Sequence, residues 1–382
     1  MTAIRNMSMP NRSRTLIIGA GPAGLAAAGA LTHAGLPCDI LEQSAAVGTA
    51  WRNHYERLHL HTDKTTSALP HLPFPASYPT YPSREQVVAY LDDYAHHFGI
   101  RPRFGERVET AARRDGHWDI RTTKGRYRAD FLIVATGYNS QPVLPKFPGA
   151  EKFRGATVHS SAYRNSKPHL GRRTLVVGCG NSGAEIALDL AEHGVETTLA
   201  IRSPIHVIPR DLGGMPFVRV SILMSRFPVA VADALAFATL RVVVGDLSKY
   251  GIRRPTISPN RLVEQFGRVS LIDVGTLAAI KQGKIKTAPG VERFTPTGVR
   301  FSNGRSEPFD DVIFATGYQA RLDRFLENAD RLTNDRGYPL QHGREVESTG
   351  LYFLGFRNPV GGMLREIRLE ALRIAADLRR RN

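Results

Sequence analysis

The sequence predicts an α/β protein made of two Rossmann-like dinucleotide-binding domains, the second inserted into the first, and three observations carry that prediction. A glycine-rich strand–turn–helix unit occurs at residues 15–44 and again at 174–203, the second set of glycines following the first by 159 positions. A short apolar strand ending in Thr-Gly-Tyr also occurs twice, as FLIVATGYNS at 131–140 and VIFATGYQA at 312–320. The 382 residues, 42% of them hydrophobic, are enough to fill more than one core.

The chain begins with a decoy. Arg5, Arg12 and Arg14 precede an apolar run from Leu16 to Leu31 that has the outline of a secretory signal. Its spaced glycines and its proline fit the dinucleotide unit better. In TLIIGAGPAGLAAAGALTHAGLPCDILEQS, Gly19 permits the tight turn, Gly21 lets the backbone approach a pyrophosphate, and Gly24 lets the helix pack on the strand. Pro22 and Ala23 open the helix, whose N-terminal amides face the phosphates. Glu42, 23 residues beyond Gly19 and followed by Gln43, is placed to accept hydrogen bonds from an adenosine ribose, which suits FAD.

In the copy, TLVVGCGNSGAEIALDLAEHGVETTLAIRS, the glycines are Gly178, Gly180 and Gly183, with Asn181 and Ser182 between them suited to a second pyrophosphate. Where the first unit has Glu42, this one has Arg202, followed by Ser203. A carboxylate repels a ribose 2′-phosphate, whereas a guanidinium binds it through two parallel hydrogen bonds. The second site therefore suits NADPH. The repeated turns at Thr136-Gly137 and at Gly317 return each apolar strand to the nucleotide edge of a sheet.

These markers set expected boundaries: an FAD domain from 1–155 and 296–382, and an NADPH domain from 165–295 with a partly helical insertion at about 203–251. Prolines in HLHTDKTTSALPHLPFPASYPTYPS argue against long helices there, and helices are expected from Arg84 to Phe98 and from Gly362 to Arg380. The apolar stretch Pro228–Gly245, interrupted by Asp233 and Arg241, is too short between charges to span a bilayer. It reads as a buried helix or a wall of the substrate pocket, with peripheral membrane contact as the lesser alternative.

Composition narrows the function. The net charge of +16 is dispersed except at the terminal LRRRN and comes with no nucleic-acid motif, so it reads as a solvated basic surface compatible with anionic cofactors. Cys38 and Cys179, the two cysteines, lie far apart and form no C-x-x-C pair, which fits a reducing, cytoplasmic setting. His59 and His61 flank Leu60, and His96 and His97 adjoin, without metal-ligand spacing, so no metal is expected.

Between the two units lies KFRGATVHSSAYRN, with Phe153, Gly155, His159 and Tyr163 spaced as F-x-G-x-x-x-H-x-x-x-Y. On this segment, flanked by its two nucleotide units, the chain resembles the class B flavin-containing monooxygenases. The resemblance extends to the YUCCA-type enzymes through YERLHLH (55–61), FPASYPTYPS, VVGCGNSGAEIALDL, IRSPIHVIPRDL, LIDVGTL and IKQGKIK, whereas Ser258–Ser270 departs from the usual lysine- and glycine-containing segment. It implies that NADPH reduces FAD and that the reduced flavin forms a C4a-(hydro)peroxyflavin with O2. The substrate it implies is a small organic molecule, either an aryl 2-oxo acid such as indole-3-pyruvate that is oxidatively decarboxylated, or a soft amine or sulfide.

By the same resemblance Trp51, Leu60 and His61 lie along the flavin and Val108 offers its backbone to the adenine, although Trp51 reads equally well as core. No side-chain constellation of nucleophile, base and acid stands out. A disulfide reductase shares the two-site plan but lacks its C-x-x-C here, and a flavin-binding redox sensor without turnover is the alternative of another class. His159 reads as either a base or a positioning residue. Its place ahead of the second unit favours the four fingerprint residues as a domain hinge.

Overall fold

The computed structural model describes residues 11–224, 226–259, 261–262, 270–359 and 361–381. The core of the first sheet is parallel, in the order Asp39–Leu41, Asn11–Ile18, Arg126–Val134, Leu351–Phe353, with Glu345–Val346 antiparallel at its edge. The antiparallel pair Val108–Arg114 and His117–Thr122 joins the first half of Arg126–Val134. The second sheet is parallel throughout: Ile285–Ala288, Glu196–Ala200, Arg173–Val177, Asp311–Phe314, Ala156–His159. All five of its strands fall in the sequence between Arg126–Val134 and Leu351–Phe353.

Each glycine-unit strand lies beside its own Thr-Gly-Tyr strand, Ile18 against Val134 and Val177 against Phe314. The register continues into the turns, where Ala135 N–H donates to Ile18 O and Ala315 N–H to Val177 O, both at 2.9 Å. The first glycine helix, Pro22–His33, is alanine-rich and buried along most of its length between the helices Arg84–His97 and Met363–Arg380. The expected helix at 84 starts where a capping box, Ser83 with Gln86, satisfies two otherwise orphaned amides.

Two expectations need correction. Residues 156–159 and 298–314 were placed outside the second unit, yet Asp311–Phe314 is hydrogen-bonded on both sides within the second sheet. Both of its faces are apolar: Val312 and Phe314 pack with Leu175, Val177, Phe294 and Phe301, and Ile313 packs on the opposite side with Val176. A strand so covered belongs to the sheet that covers it. Phe153 joins the same cluster, so the second unit starts ahead of 165.

The other correction concerns the insertion. The helix Val229–Val243 buries Ala232, Asp233 and Leu240 but exposes Val231, Leu235, Val242 and Val243, and none of the described side chains of 228–245 lines the main cavity. Its apolar residues circle the helix, so one side packs while the other faces out. The segment Ser258–Ser270 lies mostly outside the described residues. Among those described, no helix is long and apolar enough to cross a membrane.

Helix Met363–Arg380 also holds a buried acid behind the first glycine helix. Glu370 Oε2 accepts from Gly355 N–H at 3.1 Å, Oε1 has no partner among the described residues, and burial, with Glu366 a turn away, pushes its carboxyl up to about 7. The folded state thus holds this proton more tightly than the unfolded chain. Its contribution to stability is complete below the ordinary carboxylate range and is lost as pH rises through about 7. Glu370→Gln keeps the acceptor without the charge, so its melting temperature should fall less than that of the parent between about pH 5 and pH 8, by several degrees in a calorimetric scan.

Candidate active site between two glycine cradles

The two glycine loops are built alike. Gly19 and Gly178 have φ of +104° and +110°, and a Cβ on them would stand 2.7 Å from Ala135 O and 2.5 Å from Ala315 O. Gly24 and Gly183 admit no side chain either, since a Cβ would meet the carbonyls of Gly19 and Gly178 at 1.8 and 1.9 Å. Gly21 and Gly180 differ from these: nothing lies within 4 Å of where their Cβ would be. Each therefore leaves an open cradle at a helix N-terminus, where a side chain would fill the space a pyrophosphate needs.

Both cradles open into one cavity of about 1390 Å³. From the first unit it is lined by Gly19, Gly21, Pro22, Ala23, Glu42, Gln43, Trp51, Leu60, His61, Val108, Thr136 and Gly137, and from the second by Gly180, Asn181, Ser182, Gly183 and Gly317. Gly24 is buried within the first helix, and Gly178, Arg202 and Ser203 lie outside the lining. Arg202 is exposed, its alkyl stem packed near Gly290, and its guanidinium has no ion-pair or hydrogen-bond partner among the described residues. It is a free cation past the end of strand Glu196–Ala200.

The polar groups around the first cradle suit FAD. Glu42, buried, accepts Ala20 N–H at 2.7 Å on one oxygen and Ser44 N–H at 2.8 Å on the other, which holds the carboxylate in place and leaves each oxygen a lone pair for a ribose hydroxyl. Thr136 Oγ1 is buried without a partner among the described residues, an orphan beside the same cradle. At the second cradle Asn181 Oδ1 accepts Ile272 N–H at 2.8 Å, which fixes the first residue of helix Asn181–Glu192. Trp51 packs against both large core clusters and also lines the cavity.

The roof comes from the insertion. Phe217, Val218 and Arg210 line the cavity; Arg219 Nη2 donates to the fully buried Asp63 at 2.7 Å, and the Tyr81 hydroxyl donates to Asp211. Burial acts to raise the Asp63 carboxyl, and Arg219 together with Thr66 outweighs it and holds the group below its ordinary range.

The fingerprint residues fall away from the cavity. The Phe153 ring lies 5.3 Å from Phe294 and covers Gly155, where a Cβ would stand 2.5 Å from Asp310 O. His159 ends strand Ala156–His159; its Nε2–H donates to Gly317 O at 3.1 Å and its Nδ1 accepts Ser161 N–H at 3.1 Å. Burial, partly offset by that carbonyl, holds its imidazole below the usual range. Both ring nitrogens are committed to the backbone. The Tyr163 hydroxyl donates to Asp189 at 2.5 Å. Sequence reasoning missed two partners on one helix, Asp189 here and Glu185 beside His61, and the signal available was the pair of acids in GAEIALDL at helical spacing.

Two open cradles meeting at one cavity define a flavoprotein oxidoreductase that brings a nicotinamide cofactor to FAD. Comparison with known proteins agrees: the family described as "Pyridine nucleotide-disulphide oxidoreductase" matches residues 16–211. The chain is 40% identical over 371 residues to "Indole-3-pyruvate monooxygenase YUCCA1" of Oryza sativa subsp. japonica, covering 95% of this chain and 90% of that protein. It is 38% identical over 392 residues to "Indole-3-pyruvate monooxygenase YUCCA6" of Arabidopsis thaliana, covering 98% and 93%. The solved flavin-containing monooxygenase from Stenotrophomonas maltophilia superposes with a TM-score of 0.73 at 25% identity over 96% of this chain and 99% of that one. The chain belongs to the pyridine nucleotide-disulphide oxidoreductase family and, within it, to the YUCCA-type flavin monooxygenases, so it is an FAD- and NADPH-dependent monooxygenase.

The unpaired Arg202 yields a prediction. Replacing it with Ala should raise the KM for NADPH by about tenfold or more, the worth of a hydrogen-bonded charge pair, and leave the KM for NADH nearly as it was. Steady-state kinetics with both nucleotides checks this, and equal effects on the two count against a 2′-phosphate contact.

Proposed function

We propose that this enzyme oxidatively decarboxylates an aryl 2-oxo acid such as indole-3-pyruvate, in a reducing cytoplasmic setting. The observation that carries the reading is the cavity itself, where apolar Trp51, Leu60, Phe217 and Val218 share one space with Arg210. The Arg210 guanidinium is held 4.2 Å over the Tyr81 ring and 3.3 Å from Asp211, a fixed cation beside an apolar wall. An aromatic acid needs both. The 40% identity to an indole-3-pyruvate monooxygenase supports the same choice. The overall reaction balances: R-CH2-CO-COO⁻ with O2, NADPH and H⁺ gives R-CH2-COO⁻, CO2, H2O and NADP⁺.

FAD, reduced by NADPH, supplies the oxygen chemistry. The chain's share is to hold, orient and exclude water. In this reading the first cradle and Glu42 hold FAD, and Asn181, Ser182 and Arg202 hold NADPH. The NADPH domain is inserted into the FAD domain, and the adjacent crossovers Gln141–Pro142 and Tyr318–Gln319, which pair antiparallel, form its hinge. Phe153, Gly155, His159 and Tyr163 set the angle of that hinge. The ties Asp63–Arg219 and Tyr81–Asp211 close the roof against water, which otherwise diverts reducing equivalents to hydrogen peroxide.

Incubating the FAD-loaded enzyme and NADPH with indole-3-pyruvate, phenylpyruvate, and a simple amine or sulfide separates the substrate classes. We expect one CO2 and one acid product per O2 from the oxo acids; an N- or S-oxide with no CO2 sinks the decarboxylase reading. His159→Ala releases the Gly317 turn without removing a cavity group, so product formed per NADPH should drop by about tenfold or more while peroxide rises. Full coupling in that variant, with one limb of the pH profile lost, points instead to His159 as a base.

A further inference from the structure

Helix Asn181–Glu192 carries Glu185 and Asp189 one turn apart, their side chains 2% and 6% exposed. Asp189 meets Tyr163 and, at 3.4 Å, His193, away from the cavity. Glu185 meets the cavity. Its Oε2 accepts the Tyr55 hydroxyl at 2.7 Å and His61 Nε2–H at 3.0 Å, while Arg57 Nη1 stands 3.6 Å from Oε1. Two donors and a guanidinium converging on a buried carboxyl suit a carboxylate that only accepts.

That arrangement decides which way the imidazole works. With the Nε2 proton given to Glu185, Nδ1 is the nitrogen left over, and it has no hydrogen-bond partner among the described residues. The His61 side chain lines the cavity, and Glu185 lies one turn beyond Ser182 at the mouth of the second cradle. His61 therefore stands where the first unit's flavin-side segment meets the helix that receives the nicotinamide cofactor. A carboxylate that fixes the tautomer and orientation of a histidine is a recurring way to build a proton-handling group.

We propose that His61 and Glu185 form a carboxylate–imidazole pair in which His61 holds at Nδ1 the proton consumed in oxygenation and Glu185 is its positioning residue. The proposal rests on the monooxygenase activity and not on the choice of substrate. Either substrate class uses one proton per NADPH as one oxygen atom leaves as water. The imidazole gives that proton from Nδ1 and takes another from solvent, ending the cycle unchanged. The charged and titratable groups around the pair are His54, Tyr55 and Arg57 from its own segment, Asp189 and Glu192 from the helix, Arg164 from the loop after Ala156–His159, and Arg84 from helix Arg84–His97.

The test needs no identified substrate. FAD-loaded full-length enzyme is given NADPH in air, and peroxide release is followed against pH in the parent, His61→Gln, Glu185→Gln and Tyr163→Phe. The parent should show a one-proton limb and His61→Gln none. In Glu185→Gln the limb should no longer coincide with the parent's, because the carboxylate beside the imidazole is gone. Tyr163→Phe loosens the same helix joint without touching the pair and should keep the midpoint. A limb that survives unchanged in His61→Gln, or is missing from the parent, overturns the proposal.

A second readout is independent of turnover. In the oxidised, FAD-loaded enzyme, nitrogen-15 histidine NMR should show the His61 signal, assigned by its loss in His61→Gln, as the Nε2–H tautomer. It should turn toward Nδ1–H in Glu185→Gln, whose amide can donate. A parent already in the Nδ1–H form refutes the pair. Failure to oxidise NADPH at all would count against the monooxygenase assignment while leaving this readout intact.

Discussion

Two buried carboxylates on one helix are the constraint around which the rest is arranged. The helix Asn181–Glu192 begins at the second cradle, and so it must keep its N-terminus aimed into a cavity whose other wall belongs to a different sheet. Glu185 and Asp189 fasten it there, through Tyr55, His61 and Arg57 on one side and Tyr163 on the other. Carboxylates so buried are costly to leave unpaired, by roughly 3–5 kcal/mol when one partner of a buried ion pair is removed. Any displacement of residues 55–61 from this helix incurs part of that cost. The relative placement of the two cradles is thus enforced by desolvation rather than by contact area alone.

The roof follows the same logic. Asp63 has no exposure, caps its own short helix through Thr65 and Thr66, and still needs Arg219 from the insertion to complete its coordination. Insertion and first unit are therefore bound wherever Asp63 is ionised. No described residue of helix Val229–Val243 lines the cavity, so sealing it falls to Phe217 and Val218.

What was legible in the sequence was local. Glycine spacing fixes its own turn, and Gly21 and Gly180 face open space as the spacing implies, because the reason for each glycine lies within a few residues of it. The Thr-Gly-Tyr strands were legible as a repeat, yet the sheet that Asp311–Phe314 completes was not read correctly, because strand pairing across more than a hundred residues leaves no periodic signal. Glu185 was hidden for a related reason. In GAEIALDL it looks like the polar side of an amphipathic helix, and the groups that make it buried and paired, Tyr55 and His61, lie 130 and 124 residues away. His159 was legible as a landmark but not as a role, until both ring nitrogens were found on backbone partners.

The same scaffold serves dithiol chemistry in the wider family, and the thiols here show why it does not in this chain. Cys179 sits inside the second glycine loop, between Gly178 and Gly180, where a thiolate would stand next to the cradle. Burial pushes its thiol up to about 12, and burial with the nearby Asp39 does the same to Cys38. A thiol that keeps its proton at neutral pH is neither a nucleophile nor a partner in disulfide exchange. Reducing equivalents entering from NADPH therefore find no sulfur to accept them. What the cavity does offer is an apolar wall, a fixed guanidinium at Arg210 and one imidazole whose orientation is set by a buried carboxylate. With that inventory the flavin's remaining acceptor is oxygen, and the protein's task becomes the control of water and of a single proton.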